Sequence, residues 1–168
     1  MFYVTSDRIK EPSGVEARRD MVRHPGSVVI MALDETRQEP RVLLGRQYRY
    51  AADAQLWEFP AGRIDPGEDE LQAARRELVE ETGYGASEWQ RVLFFYVSPG
   101  FLDETMALYL ARDLRRGRAR PEEDEVITRR FFPLSAALKM IERGAIRDAK
   151  TLAGVLWLQT RLARSPRQ

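Results

Sequence analysis

The strongest constraint on the fold comes from one continuous segment, residues 62–84, which reads GRIDPGEDELQAARRELVEETGY. Its Pro66-Gly67 pair predicts a turn, and Gly83 stands where a left-handed residue ends a helix. Between these points, apolar residues recur at i, i+3 and i+7, which gives a helix one apolar face. These residues are Leu71, Ala74 and Leu78. The segment therefore predicts a tight loop followed by a helix that packs one face against a core.

Glutamates crowd this loop and helix, and the crowding permits two interpretations. Glu77 and Glu81 are i, i+4 neighbours, where like charges destabilise a helix by ~0.2–0.5 kcal/mol. Glu80 and Glu81 also lie in the last turn, where the helix dipole disfavours anions. Arg76 can pair with Glu80, so one interpretation is an ordinary charged surface helix. The other is that Glu68 folds back towards the helix carboxylates around a cation, since oxygen-only ligands suit Mg²⁺ or Mn²⁺.

Composition restricts the chemistry that these residues can support. The 168-residue chain has no cysteine and one histidine, so a carboxylate is the natural general base and thiolate metal sites are excluded. The net charge of +1 gives no global field that would draw the protein to nucleic acid. No apolar run approaches the ~18 residues that a membrane span requires, and the N-terminus shows no export signal. We therefore expect a cytoplasmic protein with no membrane or nucleic-acid partner.

Six further segments have the apolar pattern of β-strands. They lie at residues 27–33, 41–50, 56–62, 92–97, 104–114 and 126–133. The first two are predicted to form a hairpin, and the fourth and fifth to be partners. The third is predicted to stop at Pro60 and Gly62.

Two helices are predicted after the strands. Ser135 is the expected cap of the first, and Asp148 of the second, which would place Leu152, Val155 and Leu156 on its inner face. Strands followed by helices predict an α+β or layered α/β/α fold. We assign this domain to residues 25–168 and an arm or short strands, which we expect to form a dimer, to residues 1–24.

Residues 62–84 also resemble the Nudix box, in which glycines, glutamates and one arginine recur at fixed spacing. The matching positions are Gly62, Glu68, Arg76, Glu77, Leu78, Glu80, Glu81, Gly83 and Tyr84. Pro99, in SPGF, resembles the proline that marks the ADP-ribose pyrophosphatase branch. RHPGSVVIM, GRQYRY and LWEFPAG are similar to the same branch, so the resemblance spans residues 17–160.

The resemblance implies a Nudix α/β/α sandwich with a mixed central sheet and an N-terminal β arm. It also implies Mg²⁺-dependent hydrolysis of ADP-ribose to AMP and ribose 5-phosphate, with Mn²⁺ as an alternative and about two or three ions per site. The implied metal ligands and catalytic carboxylates are Glu77, Glu80, Glu81, Glu125 and, through its backbone carbonyl, Ala61. Glu123 is the expected general base, although its loop contains further acids that could exchange roles with it.

The other box residues have expected structural roles. By the same resemblance, Arg76 holds Glu68 or Glu80 in place without touching substrate. Gly62 and Gly83 allow the turns at the two ends of the segment.

Substrate contacts are expected from several other segments. Strands and loops supply Arg49, Trp57, Glu58, Pro99, Gly100 and Phe101, and the arm supplies Arg18, Arg19 and Arg23. The arm residues would act across an intertwined homodimer, as in relatives. Trp57 is expected to stack on a nucleobase and Glu58 to hydrogen-bond it. Trp57 is equally interpretable as a core residue, and Arg49 as a surface residue at a strand end. Alternative functions are hydrolysis of another nucleoside diphosphate sugar, such as GDP-mannose, or non-catalytic binding of ADP-ribose.

Overall fold

A computed structural model describes residues 2–118 and 127–164. The strands are β1 (Tyr3–Lys10), β2 (Glu16–Arg23), β3 (Ser27–Asp34), β4 (Arg41–Arg49), β5 (Ala54–Glu58), β6 (Ala61–Arg63), β7 (Tyr84–Tyr96), β8 (Thr105–Arg116) and β9 (Thr128–Pro133). The helices are α1 (Glu70–Thr82), α2 (Leu134–Glu142) and α3 (Ala149–Arg164), with a 3₁₀ turn at Tyr50–Ala52.

Seven strands of the described chain form one mixed sheet, with the main order β5-β4-β3-β8-β7. β3 and β8 are parallel, and β7 and β8 are antiparallel. β6 is paired with β3, and β9 with β4. The central strand β3 is buried on both faces, which explains its continuous apolar run, SVVIMALD.

Helices cover both faces of this sheet. Val29, Met31 and Leu33 of β3 pack with residues of α2 and α3. The alternate residues Val28 and Ile30 pack with Ala73, Ala74 and Leu78 of α1. This alternation follows from the two-residue period of a strand, and it confirms the predicted α/β/α sandwich.

The strands β3 and β4 diverge after a short shared ladder. They pair at Leu33 with Val42 and at Asp34 with Arg41, so the predicted hairpin is confirmed but short. Beyond this ladder β5 pairs with β4 and β6 pairs with β3. The corner between β5 and β6, at Phe59-Pro60, therefore fills the gap between the diverging strands.

The strand predicted at 56–62 is interrupted at Pro60, as expected, but it is not one strand, because the chain turns there and β6 follows. β5 ends at Glu58 and β6 begins at Ala61. Pro60 has no N–H for a ladder, and its carbonyl instead accepts a hydrogen bond from the N–H of Ile30 at 2.8 Å. The side chain of Phe59 is buried at this corner.

Local signals position α1 as predicted. Asp69 caps it through a reciprocal pair of hydrogen bonds with Gln72, and Gly83 ends it in the left-handed conformation with φ of 74°. The side chains of Ala74 and Leu78 are fully buried, and that of Leu71 is half-buried. Caps of these two kinds satisfy the backbone groups that a helix leaves free at its ends.

Two details of the later helices differ from the predictions. Ser135 does not cap α2; its N–H donates to the Glu39 carboxylate at 2.7 Å, and the helix begins directly after Pro133. Asp148 caps α3 as predicted, accepting from the N–H of Thr151 at 2.9 Å. Leu156 is 46% exposed, because it lies about 100° around the helix from the buried Val155.

Helices long and apolar enough to cross a membrane are absent from the described ranges.

The strands β1 and β2 form a separate antiparallel hairpin. The backbone of Val22 joins this hairpin to the loop after β7, donating to the carbonyl of Phe101 at 2.7 Å and accepting from the N–H of Asp103 at 3.1 Å. The Arg23 guanidinium adds an ion pair with Asp103 at 3.1 Å. The N-terminal hairpin is therefore attached to the domain at its second strand.

Candidate metal and substrate site

The Arg76 guanidinium lies at the centre of the carboxylates on α1. It binds Glu68 through two hydrogen bonds of 3.0 and 2.9 Å, and it also donates to Glu77 at 2.7 Å and Glu80 at 3.1 Å. A further hydrogen bond of 3.0 Å reaches the carbonyl of Arg63, the last residue of β6. Arg76 thus joins the loop to the helix and contacts both of the glutamates that the sequence suggested.

This cluster carries a surplus of negative charge. One guanidinium faces the carboxylates of Glu68, Glu77 and Glu80, and a fourth, that of Asp65, lies 3.8 Å away. The hydrogen bonds with Glu68, more than any other contact, raise the pKa of Arg76 above its ordinary value. The same hydrogen bonds lower the pKa of Glu68. These shifts keep Arg76 and Glu68 ionised near neutral pH, and a cation would stabilise a cluster in which carboxylates outnumber the one guanidinium.

Gly62 permits a close approach of the Glu77 carboxylate to the β6 backbone. A Cβ atom added at Gly62 would lie 1.9 Å from Oε1 of Glu77 and 2.0 Å from its carboxyl carbon. Any side chain at this position would displace the carboxylate. Position 62 therefore requires glycine for space. The Glu77 carboxylate lies against Gly62, next in the chain to Ala61, whose carbonyl is an expected metal ligand.

The Glu81 side chain faces a different environment from the Arg76 cluster. It is buried, with 6% of its surface exposed, and it lines a small cleft together with Gly45, Arg49, Glu58 and Phe59. The pKa of Arg49 is raised mainly by its hydrogen bonds with Glu58, and the negative charge of Glu81 raises it further. The structure thus brings the predicted metal ligand Glu81 close to the predicted substrate-binding Arg49.

Glu58 is the centre of a second charged cluster. Its carboxylate accepts two hydrogen bonds from Arg49, at 3.0 and 2.9 Å, and one from Nζ of Lys150 at 2.5 Å. Lys150 also pairs with Asp148 at 2.9 Å. Burial raises the pKa of Glu58, but the hydrogen bonds from Arg49 and the charge of Lys150 more than offset this, so the net shift is downward. Both Glu58 oxygens therefore accept hydrogen bonds from side chains of the protein itself. This role differs from the predicted contact with a nucleobase.

Trp57 packs within the protein. Its ring meets that of Phe132 edge to face, with 4.9 Å between centroids, and the Arg46 guanidinium lies 6.0 Å from its ring centroid. The side chain is half-buried against the core cluster under α2 and α3. These contacts favour the core interpretation of Trp57 over stacking on a nucleobase.

The predicted arm residues Arg18, Arg19 and Arg23 have their partners on the hairpin and at its attachment to the domain. Arg18 donates from Nε to the Ser6 hydroxyl at 2.6 Å. Arg23 pairs with Asp7 and Asp103, which occupies it in attaching the hairpin. Arg19 pairs with Glu11 on the same hairpin.

The loop with the sequence SPGF has a defined turn and an exposed apolar side chain. The N–H groups of Phe101 and Leu102 both donate to the carbonyl of Ser98, at 3.3 and 3.0 Å. The Phe101 ring is 55% exposed. Pro99 and Gly100 form the outer part of this turn, beside the N-terminal hairpin.

Two predicted residues of the site, Glu123 and Glu125, lie outside the described residues. Within residues 2–118 and 127–164, no three acidic or histidine side chains are gathered closely enough to hold a metal ion. The Glu77 and Glu80 carboxylates accept hydrogen bonds from the Arg76 guanidinium. The structure thus brings Glu77 and Glu80 together around arginine and places Glu81 in the adjacent cleft.

A family model described as the NUDIX domain matches residues 22–155 of this chain. The chain belongs to the Nudix family. Nudix hydrolases generally use divalent metal ions such as Mg²⁺. The α1 carboxylates are therefore those of a Nudix box, and their surplus of negative charge has a family context.

Individual Nudix relatives cover nearly the whole chain. An ADP-ribose pyrophosphatase of Bacillus subtilis (strain 168) is 34% identical over 157 residues, covering 92% of this chain and 83% of that protein. A GDP-mannose pyrophosphatase of Escherichia coli O9:H4 (strain HS) is 34% identical over 166 residues, covering 94% of this chain and 86% of that protein. The crystal structure of an ADP compounds hydrolase matches the fold with a TM-score of 0.84 at 24% identity, covering 100% of this chain and 90% of that chain.

Sequence reasoning missed the charged groups that the start of α3 places against Glu58. Lys150 and Asp148 lie about 90 residues beyond Glu58, outside the Nudix box, and no local pattern joins them. The predicted helix cap at Asp148 was the only available signal. It indicated where α3 begins but not which strand its first turn contacts.

Proposed function

We propose that this protein is a nucleoside diphosphate sugar pyrophosphatase that hydrolyses ADP-ribose to AMP and ribose 5-phosphate. The observation that carries the proposal is that Glu81, on the same helix as Glu77 and Glu80, lines one cleft with Arg49. Carboxylates alone repel a diphosphate, whereas carboxylates that hold divalent cations attract it. The ADP-ribose pyrophosphatase relative supports the choice of substrate.

The donor set fits a hard divalent cation such as Mg²⁺. It consists of oxygen atoms, it has a net negative charge, and its Glu77 carboxylate is accommodated by the missing side chain of Gly62. Glu77, Glu80, Glu81 and the carbonyl of Ala61 would hold about two or three ions. Bound ions of this kind neutralise phosphate charge and lower the pKa of a coordinated water.

The protein's own contribution is to orient the diphosphate and to supply a base. Arg49 is fixed by its bidentate contact with Glu58, yet 43% of its side-chain surface stays exposed. A guanidinium held in this way suits recognition of a phosphate oxygen. Glu123 accepts the proton of the attacking water, and Glu125 is a further metal ligand.

The assignment of the base can be tested with two variants of the same loop. Glu123→Gln is expected to lower kcat by a larger factor than Glu125→Gln, because the base acts in the bond-breaking step. Glu125→Gln is expected chiefly to raise the Mg²⁺ concentration needed for half-maximal rate. The opposite pair of results would exchange the two roles.

Substrate choice separates the main proposal from its alternatives. The purified protein, incubated with Mg²⁺ and a panel of ADP-ribose, GDP-mannose and related nucleotide sugars, is expected to release AMP from ADP-ribose fastest. Faster release of GMP from GDP-mannose would favour the second substrate, which the GDP-mannose pyrophosphatase relative makes the leading alternative. Tight binding of ADP-ribose without any product would indicate a non-catalytic binding module.

We also propose a homodimer that exchanges its N-terminal hairpin, with residues 1–24 as the arm and residues 25–168 as the Nudix domain. Large apolar side chains are exposed on the hairpin, and a partner would bury them. They are Phe2, Tyr3, Val4 and Val15. Light scattering is expected to give the mass of a dimer, and a monomer would refute a shared site.

The proposal also includes contacts between the arm and the partner's cleft, and a location of the protein in the cytoplasm. Arg18, Arg19 and Arg23, together with the loop at Pro99, Gly100 and Phe101, would border the partner's cleft. The absence of cysteine is compatible with a reducing cytoplasm. Fractionation of the source cells, followed by immunodetection, tests that location.

A further inference from the structure

A buried lysine joins α3 to the charged cluster of Glu58. The side chains of Lys150 and Glu58 are 8% and 6% exposed, and Nζ of Lys150 lies 2.5 Å from Oε2 of Glu58. Removing a lysine from water is costly unless it is paired. Lys150 is paired twice, because Asp148 holds it at 2.9 Å from the other side.

The start of α3 is packed tightly against the β5–β6 corner. The Thr151 hydroxyl accepts a hydrogen bond of 2.8 Å from the N–H of Phe59, and this Thr151 hydroxyl also donates to Asp148 at 2.6 Å. One turn later, a Cβ added at Gly154 would lie 2.7 Å from the Phe59 ring. The first turn of α3, the corner and Glu58 therefore form one closely packed unit.

We propose that Lys150 is a positioning residue that shares the Glu58 carboxylate with Arg49, and so keeps Arg49 oriented and electrostatically available to an anionic diphosphate. This inference rests on the proposed function, in which Arg49 contacts the substrate. Lys150 itself is buried and touches Glu58 and Asp148.

The charges of the cluster determine whether loss of Lys150 weakens or strengthens binding of the anionic substrate. Arg49 and Lys150 carry two positive charges, and Glu58 and Asp148 carry two negative ones, so the cluster is neutral. Without Lys150 the cluster has a net charge of −1, and the Glu58 carboxylate then pairs only with the Arg49 guanidinium. An anionic substrate beside Arg49 would then be bound less tightly. Without the charge of Asp148 the cluster has a net charge of +1, and the substrate would be bound more tightly.

Kinetics of matched variants test the direction of this effect. Lys150→Met is expected to raise KM for ADP-ribose about tenfold with a much smaller change in kcat, since a unit charge acts through a partly buried medium. Asp148→Asn keeps a helix-capping side chain and is expected to lower KM. Lys150→Arg restores the charge and should bring KM back towards the wild-type value. Lys139→Met, on the exposed face of α2, is the control and should leave KM unchanged.

A purely structural role for Lys150 predicts a different outcome. Both Lys150→Met and Asp148→Asn would then lower Tm and leave KM as in the wild type. An unchanged KM in folded Lys150→Met overturns the proposal. Should that variant fail to fold, Asp148→Asn decides, and a wild-type KM in that variant overturns the proposal as well.

A spectroscopic measurement keeps this inference separate from the proposed function. The Nε–H signal of Arg49 is expected to exchange slowly with water because it donates to Glu58. Loss of one signal in Arg49→Lys assigns it. Lys150→Met should shift this signal and speed its exchange, whereas Lys139→Met should not. If the wild type hydrolyses no nucleotide sugar, the proposed function fails, and an unmoved Arg49 signal would independently reject the positioning role.

Discussion

Two charged clusters adjoin the β5–β6 corner, and they balance their charges differently. In the first, Arg76 faces Glu68, Glu77 and Glu80, so negative charge exceeds positive. In the second, Arg49 and Lys150 match two carboxylates, those of Glu58 and Asp148. The clusters share bidentate arginine–glutamate pairs but differ in net charge.

This difference separates a site that needs a ligand from one that is complete. A surplus of carboxylates is stabilised by an added cation, and in the first cluster the missing side chain of Gly62 lets the Glu77 carboxylate lie against the β6 backbone. The second cluster is neutral, with Glu58 and Lys150 buried, and a neutral cluster has little to gain from a metal ion. Its role is to hold the corner and Arg49 in place. Four predictions test this contrast, in order of decreasing effect.

Removing a carboxylate that we propose binds metal should have the largest effect. Glu81→Gln is expected to lower kcat with Mg²⁺ by on the order of a thousandfold, since loss of a metal ligand removes several kcal/mol of transition-state stabilisation. Steady-state kinetics and circular dichroism would measure rate and fold together. Glu142→Gln, on the exposed end of α2, is the matched control. Wild-type turnover in Glu81→Gln would remove Glu81 from the site.

Breaking the balanced cluster should chiefly affect stability. Glu58→Gln leaves Lys150 buried without its closest carboxylate and is expected to lower the free energy of unfolding by about 3 kcal/mol. Glu68→Gln, in the surplus cluster nearer the surface, should lower it by about 1 kcal/mol. Urea unfolding of both variants tests the order. Equal losses would mean that burial does not distinguish the two clusters.

Filling the space at Gly62 should affect activity more than stability. The added methyl group of Gly62→Ala must displace the Glu77 carboxylate, so kcat is expected to fall by about 10- to 100-fold as the ligand geometry is lost. The matched control is Gly85→Ala, because a Cβ there meets no atom within 4 Å. Similar kcat values for the two variants would show that the close approach of Glu77 is unimportant.

The pH dependence of stability should show the smallest effect. The pKa of Glu58 is lowered from its ordinary value of 4.5 in the folded protein. Its stabilising contribution is therefore fully present above that value and is lost as pH falls through the lower folded pKa. The wild type should lose Tm more steeply in acid than Glu58→Gln does. Parallel Tm profiles from about pH 6 to about pH 3 would contradict the assignment.

Much of the fold was predictable because its signals are local. The Pro66-Gly67 turn, the apolar period of α1 and the position of Gly83 each act within a few residues, and all three are confirmed. The continuous apolar run of β3 likewise predicted a buried strand. The predicted cap at Ser135 is incorrect because a long-range contact replaces the local signal. The carboxylate of Glu39, in a loop distant in sequence, accepts the hydrogen bond of the Ser135 N–H.

The sequence alone determined the spacing of the glutamates and the arginine on α1, and hence the Nudix family and its expected chemistry. Helix geometry follows from local periodicity, so side chains four residues apart must be neighbours. Only the tertiary structure decided the partners of Glu58, which the sequence suggested as a contact for the nucleobase of a substrate. Its ion pair with Lys150 joins residues 92 positions apart, and such a contact depends on how α3 packs against the sheet. Long-range burial and charge pairing therefore distinguished the surplus cluster from the balanced one.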